Sequence, residues 1–148
     1  MGTDIKGIMP SDDLGLINSS FAISYKLDNE FSFGIDYRRE RFAQEFTGKE
    51  GNNYFVYRQE PNFQTISLFA KYNPEILKYE VFSPFTILSL GANSSGPVGR
   101  IMLGTDIYFS NKFYFTIGYD YNTLFYTQSG ANFISSKTGY HFGAGIKF

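Results

Sequence analysis

The chain has 148 residues, a formal net charge of -1 from 13 basic and 14 acidic residues, and no cysteine. This size fits a single domain. The absence of cysteine excludes disulfides, thiolate metal ligands and a cysteine nucleophile, and the near-neutral charge argues against nucleic-acid binding, which needs a basic surface. Aromatic residues form 20% of the chain, as 17 Phe and 12 Tyr without Trp, and this composition favours β-strands.

From residue 17 onwards, apolar and polar residues alternate with a period of two, which predicts strands with one apolar face. The first predicted strand begins near Ile17 and continues to Leu27, and Asp28-Asn29 predicts a tight turn. The second carries large apolar residues on one face and small or charged residues on the other: Phe31, Phe33, Ile35 and Tyr37 against Ser32, Gly34, Asp36 and Arg38. We therefore expect a hairpin here.

The middle of the chain is less regular. A polar stretch over residues 43–62 separates the second strand from a third, which ends at Asn73-Pro74. A fourth strand is predicted over residues 79–92, but its phase is ambiguous between Phe85/Ile87 and Leu88/Leu90. Pro84 lacks a backbone donor, so we expect it at a strand end, an edge or a bulge.

In the last third the alternation sharpens. Strands are predicted over about 100–109, 113–122 and 140–148, with a short turn at 110–112, and no segment shows a sustained helical period. No run of apolar residues reaches the roughly 18 that a transmembrane helix needs. The sequence thus predicts an all-β, antiparallel, up-and-down protein of one domain over residues 1–148, with seven clear strands.

Three features favour a transmembrane β-barrel over a soluble sandwich. Short connections at 28–30, 73–78 and 110–112 interleave with longer ones at 43–62, 93–97 and 125–137, as in outer-membrane barrels. Most strands have the roughly 9–11 residues that cross a bilayer. One face is large and aromatic while the other is small, which suits a narrow interior. The alternative is a soluble sheet with ordinary cross-strand aromatic pairs.

The chain end, residues 140–148, resembles the C-terminal signal strand of bacterial outer-membrane proteins, in which hydrophobic residues alternate and the last residue is aromatic. The residues that carry this resemblance are Tyr140, Phe142, Ile146 and Phe148. More loosely, the whole pattern resembles the small OmpA/OmpX-type barrels. The resemblance implies a location in the bacterial outer membrane, with lipid and the barrel-assembly machinery as partners.

Seven strands are one fewer than the even number of a single-chain bacterial barrel. A poor first strand over residues 3–9 could complete an eight-stranded barrel, or the missing strand could lie upstream or in a second chain. Residues 1–15 lack the basic start, apolar core and cleavage site of a signal peptide. We therefore expect a fragment of a longer precursor or a barrel that another chain completes; a cytosolic protein is the other interpretation.

The predicted strand phases place charges of both signs inside the barrel, where they should pair, because an unpaired buried charge is costly. This set comprises Lys26, Asp36, Arg38, Glu40, Lys71, Arg100, Asp106, Asp120, His141 and Lys147. Eight strands leave little interior space, so we expect a plugged interior. A selectivity filter or a proton path is the functional alternative.

His141 is the only histidine, and an enzymatic role would require a nucleophile and a carboxylate close to it. Lipid-modifying outer-membrane barrels use a His-x-Ser pair, but the corresponding position here is Gly143. The acidic turns at 11–13 and 28–30 lack the spacing of a calcium loop. We predict no catalytic site, no metal and no cofactor.

The segment 43–62 mixes residue types common at recognition hot spots into a polar stretch: Tyr54, Phe55, Tyr57 and Arg58. External loops on a rigid scaffold often carry function, so these residues are candidates for contact with a surface protein, although the strands could simply extend as a β-ribbon. The function expected is a structural outer-membrane anchor that presents loops. A transport component and, less favoured, a lipid-modifying enzyme are the alternatives.

Overall fold

The fold was analysed in a computed structural model that describes residues 19–41, 44–50, 53–59, 62–128 and 131–147. The side chains of residues 41–62, 127–128 and 131–133 are outside the described part. The elements, in chain order, are β1 (Ser19–Lys26), β2 (Phe31–Arg41), β3 (Gln44–Glu50), β4 (Asn53–Gln59), β5 (Asn62–Tyr72), a short 3-10 helix (Glu75–Leu77), β6 (Phe82–Ala92), β7 (Pro97–Tyr108), β8 (Phe113–Gln128) and β9 (Ala131–Ile146).

Seven of the strands form one antiparallel sheet in the order β1-β2-β5-β6-β7-β8-β9, which curls into a half barrel. Each strand pairs with the next sheet strand along the chain, so the sheet has no crossover. Strands β3 and β4 form a separate two-stranded ribbon between β2 and β5. The predicted all-β, antiparallel, up-and-down architecture is confirmed. Among the described residues, no helix has the length and apolar character required to cross a bilayer.

The two faces of the sheet differ as the period-two pattern requires. On β2, the odd positions Ile35 and Tyr37 are exposed on the convex side, while the even positions Asp36, Arg38 and Glu40 are buried on the concave side. The register continues this across the sheet, since Ile35 lies opposite Ile23 on one side and opposite Leu68 on the other. Large apolar residues therefore face outward and the charged residues face inward.

Strand β6, whose phase the sequence left ambiguous, turns Phe85 inward, where only 3% of the residue is exposed, and Leu88 and Leu90 outward. Pro84 lies within β6, opposite Thr105 of β7. The pairing of β6 with β5 ends at Thr86, opposite Tyr72, so the missing N–H of Pro84 does not interrupt that ladder.

The predicted alternation of connection lengths is wrong. Residues 125–137 are not a long connection, because β8 and β9 are each 16 residues long and pair as far as Gln128 opposite Ala131. The polar stretch 43–62 is mostly the β3–β4 ribbon, which was the alternative interpretation. Conversely, the connection from β5 to β6 is longer than expected, because it holds the 3-10 helix and a bridge between Tyr79 and Phe82.

The connections between the strands distinguish the two ends of the sheet. The turn end has the connections 27–30, 73–81 and 109–112; the ribbon end has the β3–β4 ribbon and the long extensions of β8 and β9. The candidate contact residues of the ribbon, Tyr54, Phe55, Tyr57 and Arg58, lie on β4. Residues 3–9, the possible first strand, lie outside the described residues, as does Phe148.

Glycines and aromatic rings fill the concave face together near the turn end. Three times, an inward ring lies directly opposite a glycine of the neighbouring strand: Phe69 opposite Gly34, Phe85 opposite Gly104, and Tyr114 opposite Gly145. A Cβ atom at the glycine would come within 2.7 Å or less of a ring atom in all three pairs. Each glycine therefore leaves room for a ring from the neighbouring strand to lie over it. The ring in turn covers the backbone that the glycine, which has no side chain, would leave open.

Replacement of Gly104 by alanine should destabilise the protein. The added Cβ would lie 2.7 Å from Cζ of Phe85 and 2.9 Å from the Gly118 Cα, and overpacking of this kind costs typically about 1–3 kcal/mol. Gly99, on the same strand, has only Leu90 near, at 3.9 Å, so Gly99→Ala is the matched control. Urea unfolding measures both. Equal free energies of unfolding for the two variants would contradict this packing scheme.

The β1–β2 turn is organised by Asp28, whose Oδ1 accepts hydrogen bonds from the backbone N–H groups of Glu30 and Phe31, both at 2.7 Å. These two bonds stabilise the carboxylate and hold the pKa of Asp28 below its ordinary value. A lowered pKa in the folded state means that the stabilisation is complete above the ordinary aspartate pKa and is lost as the pH falls through the folded-state value.

The substitution Asp28→Ala should therefore lower the urea midpoint of unfolding at neutral pH, while its effect should shrink as the pH falls from about 5 to about 2. Asp28→Asn, which keeps an acceptor oxygen without a charge, should show a smaller effect at neutral pH, and this effect should also shrink as the pH falls because only the wild-type carboxylate titrates. A difference between wild type and Asp28→Ala that stays constant over this range would show that the charge contributes nothing to the turn.

Candidate functional site: the charges inside the half barrel

Four charged side chains from three strands form a closed ring of alternating sign inside the half barrel. Asp36 and Arg38 come from β2, Arg100 from β7 and Asp120 from β8. Asp36 contacts Arg38 directly and lies 3.4 Å from Arg100; Asp120 lies 3.1 Å from Arg100 and 3.8 Å from Arg38. Each charge thus has two neighbours of opposite sign. The ring contains two acids and two bases, so it is electrically neutral.

Two further ion pairs flank this ring. On its ribbon side, Lys137 of β9 lies 2.7 Å from Glu40 of β2. On its turn side, Lys71 of β5 contacts Asp106 of β7, and Asp106 also accepts a hydrogen bond from the Thr116 hydroxyl at 2.7 Å. The Lys71 ammonium also stands 4.2 Å from the centre of the Phe85 ring, a cation–π contact. Both pairs are neutral as well.

The interior therefore holds charges that are nearly removed from water and balanced locally. Asp36, Arg38, Glu40, Arg100 and Asp106 are each less than 10% exposed. Desolvation of such groups is expensive, and only close partners of opposite sign offset it. Removal of one partner leaves an uncompensated charge, which costs more than the pair itself contributes.

The predicted set of interior residues is only partly assembled in this cluster. The structure brings together Asp36, Arg38, Glu40, Arg100 and Asp120, and places Lys71 with Asp106 beside them. Lys26 and Lys147 do not belong to the cluster. They are exposed at the turn end of β1 and directly after β9, where water hydrates an ammonium group.

Three more polar residues contact the charged side chains of the interior: Lys137, Asn122 and Thr116. The sequence analysis did not include them in the charge cluster. Lys137 fell in the segment 125–137, which was expected to be a connection, although only 13% of its side chain is exposed beside Glu40. Asn122 and Thr116 are buried, and both lie on the inward phase of β8 with Asp120. That phase was the one signal in the sequence that could have identified them.

A cleft of about 300 Å³ lies at the side of the cluster, between the two free margins of the sheet. Its lining includes Ser20 of β1, Arg38 and Glu40 of β2, and Lys137 and His141 of β9. In the described part of the structure, Oε1 of Glu40 and Oδ1 of Asn122 are buried there without a hydrogen-bond partner. Both residues line the cleft, and each keeps one acceptor oxygen buried beside a balanced set of charges.

His141 lies on β9 above Gly143, where a Cβ would come within 3.3 Å of its Nε2 atom. Ser20 and Asp120 line the same cleft. Within the described residues, no hydrogen bond connects His141 to either of them, so the geometry of a catalytic triad is not assembled. Nor do the described residues contain three or more His, Cys, Asp or Glu side chains placed to hold a metal ion.

No protein-family model matches the chain, and neither a curated protein nor a solved structure matches it. The arrangement of its own side chains is therefore the basis for any functional assignment.

Substitution of Arg100 tests the charge ring most directly, because Arg100 forms ion pairs with both Asp36 and Asp120. Arg100→Met should lower the free energy of unfolding by about 3–5 kcal/mol, the usual cost of breaking a buried pair. Arg39→Met is the matched control, since Arg39 is exposed on the outward face of β2, and it should change stability by less than about 0.5 kcal/mol. Urea unfolding experiments measure the change in each variant.

A double-mutant cycle with Asp120→Asn separates charge balance from packing. Loss of one base and one acid restores neutrality, so the double variant should lose less stability than the sum of the two single variants. Strict additivity would contradict a coupled ring.

Proposed function

We propose that the chain is a bacterial outer-membrane β-barrel that anchors a surface ribbon, with an interior filled by paired charges and rings so that it does not conduct. The observation that carries this proposal is the outward face of the sheet, where large apolar side chains are exposed on every strand. Examples are Phe21 at 67%, Leu68 at 66%, Leu90 at 77% and Phe142 at 65% exposure. Monomeric soluble proteins seldom expose contiguous apolar patches above a few hundred Å², whereas a barrel in lipid requires such a band.

The placement of aromatic residues supports the same location. Near the turn end, Phe31 of β2 packs on Tyr72 of β5 with ring centres 4.7 Å apart, and Phe113 is exposed at the start of β8. Farther along, Tyr119 packs edge-on against Tyr140 at 5.4 Å. Phe113 and Tyr121 are eight residues apart on β8, about 27 Å along the strand at ~3.4 Å per residue. For a strand tilted by about 40°, this is roughly 20 Å along the membrane normal, close to the ~25 Å band between aromatic girdles.

Strand β9 supports the assignment of a C-terminal assembly signal. Its residues Tyr140, Phe142 and Ile146 all face outward and are 79%, 65% and 54% exposed. In the described part of the sheet, β9 pairs only with β8, so one of its backbone edges is available. We infer that the barrel-assembly machinery reads this row of side chains.

The ribbon end supports a role in display. Strands β8 and β9 each have 16 residues, more than the roughly 9–11 that a crossing needs, and β3 and β4 extend the β2–β5 connection. In outer-membrane barrels the short turns face the periplasm and the longer excursions face outward. The ribbon would then be external, and Tyr54, Phe55, Tyr57 and Arg58 on β4 would be candidates for contact with a surface protein.

If the protein is such a barrel, its extraction should require detergent, and its folded form should migrate differently from its boiled form in an SDS gel. The physical reason is that the antiparallel sheet resists SDS until heated. The readout is paired boiled and unboiled samples, with the Gly99→Ala and Gly104→Ala variants as controls for stability. Full solubility without detergent, with the Phe and Tyr side chains still accessible to aqueous quenchers, would refute the membrane assignment.

A plugged interior and a transport role differ in conductance. In planar bilayers the wild-type protein should give no steady open-channel current, because the ring of Asp36, Arg38, Arg100 and Asp120 crosses the interior. Arg100→Met, which opens this ring, should show current if it inserts. Steady unitary currents from the wild type would instead favour a transport component.

A further inference from the structure

The cleft beside the paired charges is lined by both faces of β9. Lys137 and His141 are on the inward phase of this strand, whereas Tyr140 and Phe142 are exposed on its outward phase, and all four line the cleft. Because successive side chains of a strand point to opposite faces, a cavity that contacts both sets must open past the edge of the strand. The cleft therefore connects the polar interior with the outward surface of the sheet.

The charged side chains of the lining are balanced and already paired. Lys137 lies 2.7 Å from Glu40, and Arg38 lies 3.8 Å from Asp120. With His141, these two bases and two acids are the ionisable side chains of the polar lining. A ligand with a net charge would have to break a pair or leave a charge uncompensated, and both are costly where water is scarce. The charge balance therefore favours a ligand without net charge.

The uncharged polar groups of the lining favour a ligand that both donates and accepts hydrogen bonds. Ser20 and Thr138 bring hydroxyl groups, and Asn122 brings an amide. Asn122 is only 2% exposed, and within the described residues its Oδ1 atom has no hydrogen-bond partner. Hydroxyl groups of a sugar donate and accept without adding charge, so they can bond to this lining and leave its ion pairs intact. A zwitterionic headgroup would compete with those pairs.

Size and an aromatic rim limit the ligand to a single ring. The volume of about 300 Å³ is at the lower limit of ligand pockets, which span ~300–1,000 Å³; it accommodates one hexose but not a whole lipid. Tyr140 is 79% exposed at the rim and packs against Tyr119 at 5.4 Å. The C–H groups of a pyranose form an apolar face, and an exposed aromatic ring beside polar groups suits contact with it.

We propose that the cleft is a carbohydrate site that takes one uncharged pyranose ring. The hydroxyl groups of the sugar bond to Ser20, Asn122 and Thr138, and its apolar face packs on Tyr140. A free glycan and the headgroup of a glycolipid share this chemistry and differ in the attached apolar chain. The site adds a binding activity to the proposed anchor and does not depend on a membrane location.

Saturation-transfer NMR with methyl glycosides tests the site on the full chain, in a detergent without a sugar headgroup. The methyl pyranosides of glucose, galactose and mannose are the probes, and at least one should bind saturably. Ser20→Ala and Thr138→Val should each weaken its binding roughly 2- to 10-fold, the usual value of one neutral hydrogen bond. Ser24→Ala and Thr105→Val are the matched controls, since these residues share the phases of Ser20 and Thr138 away from the cleft.

The aromatic contact has its own pair of variants. Tyr140→Ala should weaken sugar binding, whereas Tyr25→Ala should not, because Tyr25 is 75% exposed on the outward phase of β1 and does not line the cleft. Circular dichroism shows whether each variant keeps its sheet. Displacement of the methyl glycoside by a lower concentration of its octyl counterpart would assign the site to a glycolipid, and equal potency of the two would assign it to a free glycan.

Absence of saturable binding for all three pyranosides would overturn the proposal, and so would wild-type affinity in both Ser20→Ala and Thr138→Val. Tighter binding of phosphoethanolamine than of any pyranoside would also overturn it, because the cleft would then recognise a zwitterionic headgroup. The probes are soluble and the readout needs no bilayer. Sugar binding can therefore fail while the membrane assignment holds, and the reverse.

Discussion

Charge neutrality inside a curled sheet is the constraint on which the rest of this structure depends. The concave face has charged side chains from β2, β5, β7, β8 and β9, and a narrow interior cannot hydrate them as water would. The ring of Asp36, Arg38, Arg100 and Asp120 solves this problem by alternation of sign. Because the ring joins β2 to β7 and β8, strands far apart in the sheet order, it also fixes how strongly the sheet curls.

The same curl explains the small residues. A tightly curved sheet brings inward side chains together, so bulky residues fit only opposite glycines, as Phe69 does opposite Gly34 and Phe85 opposite Gly104. Near the ribbon end, Phe63, Val98 and Leu124 pack as a small apolar cluster instead. The interior therefore changes from rings over glycines, through paired charges, to an apolar cluster. A cleft of about 300 Å³ between β1 and β9 opens beside the paired charges.

Much of this could be predicted from the sequence, because strand phase is a local property. Alternation alone assigned Asp36 and Arg38 to one face and Ile35 and Tyr37 to the other. It failed on β6, where Phe85 faces inward and Leu88 outward, since apolar residues on both faces remove the contrast that defines a phase. It also failed for Lys137, because Ser129-Gly130 and Ser135-Ser136 are turn-type residues that obscure the start of β9. The glycine–ring pairs and the charge ring depend on register between strands, which no single strand encodes.

The central claim is that the apolar convex face lies in lipid, and the absence of tryptophan makes one measurement of it direct. Leu68 is outward in the middle of β5, between Ile35 and Leu90 in register, and Asn111 is exposed in the β7–β8 turn. In vesicles with brominated acyl chains, the fluorescence of Leu68→Trp should be quenched strongly and that of Asn111→Trp hardly at all, with the order reversed for an aqueous quencher. Equal access of the aqueous quencher to both positions would contradict the account.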